Sequence, residues 1–294
     1  MKPPAFSYRR PESLDEALSV LAEAGPDAKV LAGGQSLLPL LSMRLVAPSL
    51  LVDVNRIPEL DHVRSDADGV RIGALARHSA VLRDAGARDR QPLLAEAVAA
   101  VAHPTIRNRG TSVGSLVHAD PAAELPAVLC LLGGSVTVAS ARGRRIVPAD
   151  DFFLGPLESA VRPGELAVEA SFPALGARSG TAFLEVSRRH GDYAVCGVAV
   201  LVSLDADLRV ASARAGYLSV APTPLVLDLT GVVGGLRRNA DFADAVAFVR
   251  DAVDPEPDIH ASAGYRRQLA GVLTGRALRI AARRAAGVAT EAAA

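Results

Sequence analysis

A chain of 294 residues, half of them hydrophobic, can bury a sizeable core as one large domain or two modest ones. Its 32 basic and 32 acidic residues leave a formal net charge of zero, which argues against nucleic acid or an anionic membrane as the main partner. The N-terminus MKPPAFSYRR lacks the apolar core of a signal peptide, and no apolar run reaches the roughly 18 residues of a membrane span. Cys130 and Cys196, the only cysteines, stand singly in apolar surroundings, where cysteine behaves as a small buried hydrophobe. A soluble cytoplasmic protein without a disulfide framework is expected.

The first helix is marked by Ser13 and Glu16, a capping box, followed by the stripe Leu14, Ala17, Leu18 and Leu21 and stopped at Gly25-Pro26. A short strand from Lys29 to Ala32 then runs into Gly33-Gly34-Gln35-Ser36, with Ser36 placed to cap the helix LLPLLSMRL. SLLVDV (49–54) reads as a strand, and Asp68-Gly69 as a hairpin turn of the primed type. Ser79 is placed to open a short helix, and PLLAEAVAAVA (92–102) is a helix. The polar stretch from His103 to Ser115 reads as a loop, after which Asp120-Pro121 looks like a cap and first turn for AAELPAVLCLL.

Beyond Gly133-Gly134 the pattern changes to short strands, SVTVAS, RRIVP and LAVEASF, with a plausible boundary at 171–180. Three strand-like runs follow, TAFLEVS, AVCGVAVLVSL and RVASARAGYLSV, then helices around DFADAVAFVRDAV and SAGYRRQLAGVLTGRALRIAARR, and a frayed Ala-rich C-terminus. Sequential antiparallel strands followed by helices predict an α+β unit with a three-stranded sheet, and the domains divide as 1–176 and 177–294.

Two segments carry chemistry. In KVLAGGQSLL a strand ends in paired glycines before a helix, a device that lets backbone amides approach phosphate oxygens closely; the same residues also suit a plain tight turn. The third, spaced glycine of the nicotinamide dinucleotide fingerprint is absent. In HPTIRNRGTSVGSLVHADPAAELP (103–126), Thr111, Gly114 and Ser115 offer small side chains and accessible amides. Asp120 and Glu124 stand near a helix start, either as caps or as acceptors for the hydroxyls of a ribityl or sugar chain.

Two glycine/serine loops about eighty residues apart, in this order, resemble the FAD-binding subunit of the xanthine dehydrogenase and carbon monoxide dehydrogenase family of molybdenum hydroxylases. Its AGG[HQ]S loop stands here as Ala32-Gly33-Gly34-Gln35-Ser36. Its second loop stands as Thr111-Ser112-Val113-Gly114-Ser115, followed by Asp120-Pro121. The likeness extends through YRRP (8–11), IGAL (72–75) with His78, IRNRGT (106–111), PGEL (163–166), SRRHGDYA (187–194) and AGYRRQLAGVL (263–273).

The resemblance implies an N-terminal FAD-binding domain of the PCMH type, built from two α/β parts with the cofactor between them. Val30, Leu31, Ala32, Gly33, Gly34, Gln35, Ser36 and Leu37 would cradle the pyrophosphate of a non-covalent FAD. Thr111, Gly114 and Ser115 would lie along the ribityl chain and ring, with Asp120 or Glu124 on ribityl hydroxyls. Tyr193 in the HGDYA loop would pack near the flavin, unless it simply turns its hydroxyl to solvent. One departure stands out: Val113 replaces the usual first glycine of the second loop. Valine serves there if the position supplies only an amide at negative φ, and weakens binding if positive φ or close approach is needed.

The same resemblance implies partners: a large molybdopterin-binding subunit, a small subunit with [2Fe–2S] clusters, and an external electron acceptor such as NAD⁺, oxygen or a quinone. Two cysteines are too few for an iron–sulfur cluster in this chain. The histidines at 62, 78, 103, 118, 190 and 260 show no zinc spacing, His118 being either a cofactor contact or a solvated loop residue. No P-loop or nucleophile elbow is present. No catalytic acid or base is therefore assigned. Two other functions are open to such a chain, a stand-alone flavin oxidase of the vanillyl-alcohol-oxidase type and a flavin-free assembly protein.

Overall fold

A computed structural model describes residues 2–288; the Ala-rich tail expected to fray lies, from residue 289 on, outside the described residues. The chain begins with a small parallel sheet in which Leu50–Asp53 lies between Ser7–Arg9 and Ala28–Leu31. Helix Leu14–Ala24 packs on it through Leu14, Ala17, Leu18 and Leu21, all buried, as their spacing predicts. Ser13 caps Glu16 N–H at 3.2 Å, while the Glu16 carboxylate reaches back to the amide of Glu12. Residues 7–9 carry no strand signature of their own; they pair only because Leu50–Asp53 offers an edge.

The second part is a five-stranded antiparallel sheet in the order Val63–Ser65, Gly69–Gly73, Glu165–Pro173, Ser135–Ser140, Gly143–Pro148. The hairpin at Asp68-Gly69 forms, but not through a primed turn, because neither Ala67 nor Asp68 has positive φ. Instead the Asp66 carboxylate accepts the amides of Asp68 and Gly69. Between these strands the chain makes helices His78–Arg83, Ala85–Arg90, Pro92–Ala100, Pro104–Arg107, Ser112–His118 and Glu124–Leu132. The stretch read as a loop thus holds two short helices, the second capped by Thr111.

Two further cap expectations are corrected. Ser79 does not open its helix, which starts one residue earlier with His78 N–H bonded to the Gly110 carbonyl. Asp120-Pro121 does not start a helix either; that helix begins at Glu124. Asp120 closes a turn on Ala122 N–H at 2.8 Å, and the Pro121 carbonyl accepts Ser219 N–H from the far sheet, so it is not free to begin a helical ladder.

The C-terminal sheet has four strands, not three: Ser179–Ser187, Ala194–Leu204, Val210–Leu218 and Leu225–Asp228, all antiparallel neighbours. The fourth is a short edge strand behind Pro222 and Pro224, too brief for a period-two signal. One face of this sheet carries helices Ala243–Ala252 and Ala263–Ala285 over a core that includes Tyr217, whose hydroxyl meets Thr274 Oγ1 at 2.7 Å. The other face supplies Phe183, Ala199 and Leu218 to the N-terminal core, against helix Glu124–Leu132. Glu96 adds a polar tie across the same seam, accepting Phe183 N–H at 3.0 Å and pairing with Arg284.

Candidate functional site: two glycine loops and an acidic turn

Strand Ala28–Leu31 ends at the C-terminal edge of the parallel sheet, and residues 32–36 carry the chain over to helix Leu37–Ser42. Residues 30–37 are all half-buried, at the margin of the N-terminal core, against which Val30 and Ala32 pack. Gly34 has φ +72°, a conformation natural to glycine. Among the described residues, the N–H groups of Gly33, Gly34, Gln35, Ser36 and Leu37 have no acceptor in the protein. Five successive amides without an acceptor in the protein can receive the oxygens of an anion or of a hydroxyl chain.

Ser36 does not cap the helix that follows, because its backbone already lies in the helical region, at φ −96° and ψ −44°. Its hydroxyl is thus left uncommitted to a cap. Gln35 turns its amide back onto the Gly33 carbonyl at 3.0 Å, which stiffens the turn.

The second loop packs directly on the first. A Cβ at Gly33 would stand 2.4 Å from the Arg109 carbonyl oxygen and 2.7 Å from Gly110 Cα, so only glycine fits. Thr111 Oγ1 accepts Gly114 N–H at 3.2 Å, and a Cβ on Gly114 would meet that same oxygen at 2.5 Å. Gly114 is small to keep the cap, inside a helix and not in an open loop. Val113 is also helical, has negative φ, and is 1% exposed within the N-terminal core. Its N–H has no acceptor among the described residues. Valine therefore fits this backbone and this core, with its amide left without an acceptor in the protein.

Behind this loop His78 is 4% exposed, with Nδ1 at 3.2 Å from Ser112 Oγ. Burial, and then Arg107, push its pKa down to about 4, so the ring is neutral and structural.

Helix Ser112–His118, about 10 Å long, leads from the loop junction to an acidic turn. Glu124 is 9% exposed at the start of its helix, and burial, Glu185 and Asp120 push its pKa up to about 8. Glu185, on strand Ser179–Ser187, is pushed up to about 7 by burial, and its Oε2 has no partner. Tyr193 is 68% exposed; partial burial, and then Asp120 and Glu124, raise its pKa. The HGDYA loop is anchored by Gly191, at φ +83°, whose backbone lies against the His103 ring. His118 approaches Asp120 only to 4.0 Å.

The residues singled out in the sequence thus form two groups, residues 30–37 against 109–115, and Asp120 with Glu124 and Tyr193, joined by one short helix. Sequence reasoning missed the side chains that hold the first group together. Asn55 donates through Nδ2 to the carbonyls of Ala32 at 2.9 Å and Leu31 at 3.4 Å. Arg77 donates to Asn55 Oδ1 and to the Arg109 carbonyl, both at 2.6 Å. Glu185 was missed too, although a carboxylate within the apolar run TAFLEVS was a visible signal.

The comparisons with known proteins cover both halves. Residues 4–175 match the model of the FAD binding domain in molybdopterin dehydrogenase, and residues 181–281 that of the CO dehydrogenase flavoprotein C-terminal domain. The chain is 43% identical to the 6-hydroxypseudooxynicotine dehydrogenase complex subunit alpha of Paenarthrobacter nicotinovorans, over 97% of each chain. It is 37% identical to the carbon monoxide dehydrogenase medium chain of Hydrogenophaga pseudoflava, over 96% of this chain and 98% of that one. A chain of quinoline 2-oxidoreductase from Pseudomonas putida 86 superposes with a TM-score of 0.90 at 38% identity, covering 97% of this chain and 99% of that chain. Matched by these two models in turn and by relatives over as much as 97% of its length, this chain belongs to the FAD-binding medium subunits of the molybdenum hydroxylase family, the group of carbon monoxide dehydrogenase and xanthine dehydrogenase.

Proposed function

We propose that this chain is the electron-transferring flavoprotein of a larger hydroxylase. A large partner subunit would hold molybdopterin and oxidise the substrate, and a small partner with [2Fe–2S] clusters would deliver the electrons here. An external acceptor such as NAD⁺, oxygen or a quinone would remove them. When bound, FAD supplies the two-electron redox chemistry; the protein supplies position and electrostatics. Residues 1–176 are the flavin-binding part and 177–294 the C-terminal part of the subunit.

The observation that carries this reading is the run of five unpaired amides from Gly33 to Leu37, set against the Arg109–Thr111 backbone. Val30, Leu31, Ala32, Gly33, Gly34, Gln35, Ser36 and Leu37 would hold the pyrophosphate there. Thr111, Gly114 and Ser115 would line the ribityl chain. Asp120 and Glu124 would face its hydroxyls, and the open Tyr193 ring is free to pack on the flavin. Protonated at neutral pH, Glu124 can donate as well as accept, which suits a hydroxyl chain better than a fixed charge does. No acid or base for substrate chemistry is needed in this chain. Among the described residues no helix is long and apolar enough to cross a membrane, and the two unpaired cysteines support a cytoplasmic setting.

The test is a metal-free preparation of this chain, reconstituted with FAD and offered aldehydes, purines and N-heterocycles with a dye acceptor. No steady turnover is expected. Activity should appear only on co-expression with an iron–sulfur chain and a molybdopterin chain. Turnover by the lone chain would overturn the electron-carrier reading.

A further inference from the structure

The two glycine loops belong to elements distant in sequence, and their own backbone contact at Gly33 is a contact of shape, with no hydrogen bond to hold it. What binds them is a chain of hydrogen-bonded side chains. Tyr8 donates its hydroxyl to Asp53 Oδ2. Asp53 Oδ1 accepts the backbone N–H of Asn55 at 2.9 Å and its Nδ2 at 2.6 Å. Burial works to raise the Asp53 pKa, but the bonds from Tyr8 and Asn55 outweigh it and hold the carboxyl below its ordinary range.

Asn55, oriented in this way, takes the Leu31 and Ala32 carbonyls of the first loop through Nδ2 and offers Oδ1 to Arg77. Arg77 takes that oxygen with Nη2 and the Arg109 carbonyl of the second loop with Nη1. Its backbone is fixed on the same loop by a bridge to Thr111, where His78 N–H meets the Gly110 carbonyl and Ser112 N–H meets the Ala76 carbonyl. The two ends of the guanidinium fork therefore serve different loops. The carbonyls of Leu31, Ala32 and Arg109 are taken up by these side chains, while the amides of residues 33–37 are left without acceptors in the protein.

We propose that Arg77 and Asn55 are positioning residues that lock the two loops into one anion-binding surface, so that the pyrophosphate of FAD meets a preformed arrangement. This inference rests on the assignment of residues 30–37 to the pyrophosphate. Pre-organisation of this kind improves affinity by removing the cost of ordering the loops at the moment of binding. Arg77 acts through geometry: a lysine offers one ammonium on a flexible stem and cannot span both oxygens at the fork's separation. Burial, and then the nearby Arg109, lower the Arg77 pKa against the opposing pull of Asp61 and Asp53.

The experiment measures FAD affinity by flavin fluorescence on flavin-stripped wild type and on the Arg77→Met, Arg77→Lys and Asn55→Ala variants. Apo-protein melting temperatures are recorded alongside. Wild type should bind FAD, and all three variants should bind at least tenfold more weakly with apo melting temperatures close to that of wild type. Arg77→Met and Asn55→Ala together should cost little more than either alone, because each breaks the same chain. Wild-type affinity in Arg77→Met, or full rescue by Arg77→Lys, would overturn the tether. A melting temperature that collapses in the variants, with affinity per folded molecule unchanged, would also overturn it and make these residues parts of the fold alone. A Gly34→Leu chain that keeps its FAD would instead overturn the pyrophosphate assignment, which separates that failure from a failure of the tether.

Discussion

Gly33 faces the Arg109 carbonyl so closely that a methyl group on its Cα would lie 2.4 Å from that oxygen and 2.7 Å from Gly110 Cα. Both obstacles are backbone, so neither can swing aside as a side chain would. Gly33→Ala is expected to force the loops apart, costing about 1–3 kcal/mol as overpacking does and releasing most of the flavin. Gly34→Ala meets only leucine side chains at 3.1–3.2 Å but must hold φ +72°, for a cost of about 1–2 kcal/mol. Paired urea melts and flavin content read both. An alanine at 33 tolerated as well as one at 34 would contradict the packing described.

FAD should be held without a covalent bond. Both cysteines are buried away from the two loops, and burial pushes each thiol to about 12, far from the thiolate a tether needs. Acid precipitation of the holoprotein should leave the yellow chromophore in the supernatant; flavin in the pellet would contradict this.

His78 makes stability fall in acid. Its folded pKa is about 4 against 6.5 for a free side chain, so below pH 6.5 the unfolded chain takes up a proton that the native ring refuses. The stabilisation is complete above pH 6.5 and is lost as pH falls through 4, in total about 3 kcal/mol. His78→Gln should flatten that part of the stability profile, measured by urea unfolding from pH 7 to 4. An unchanged slope would mean that the ring protonates freely.

Glu124 works in the opposite sense. Its folded pKa is raised to about 8, so its contribution is complete below the ordinary value of 4.5 and is lost as pH rises through 8. Glu124→Gln should therefore gain melting temperature relative to the wild type as pH goes from 5 to 8. Glu185, also raised, keeps part of the slope in the variant. Parallel melting curves across that range would count against a protonated Glu124.

The seam between the two parts of the chain is tied by Glu96, which accepts Phe183 N–H and pairs with Arg284 near the end of the last helix. Glu96→Ala strands the Phe183 amide and removes one partner of Arg284, which keeps the Thr181 carbonyl. A loss of about 1–3 kcal/mol is expected, with the C-terminal helix exchanging amide hydrogens faster than the N-terminal sheet. Uniform exchange in the variant would show that the tie is not local.

Local chemistry was legible in the sequence wherever one segment decides its own conformation. The Ser13 cap and the four buried residues of the first helix, the paired glycines at 33–34, and the long strand Ala194–Leu204 all follow from spacing and turn residues read in place. Caps that compete with distant partners were not legible. Ser36 stands at the start of its helix but makes no cap bond, and Ser79 and Asp120 carry the right side chain, yet tertiary hydrogen bonds settle where those helices begin. The edge strands at 7–9 and 225–228 exist because a neighbour presents unpaired backbone to them, a condition no short segment reveals. Family likeness located both glycine loops and the acidic turn, but only the folded chain brings Gly33 against Arg109 and ties both loops to Asn55 and Arg77. Val113 shows the division best: as a letter it replaces a glycine and raises doubt about the loop, whereas in the fold it is a helical residue with a buried side chain and a free amide. Sequence determines which groups are available. Which of them meet depends on packing between segments as many as 188 residues apart, where shape and unsatisfied hydrogen bonds outweigh local preference.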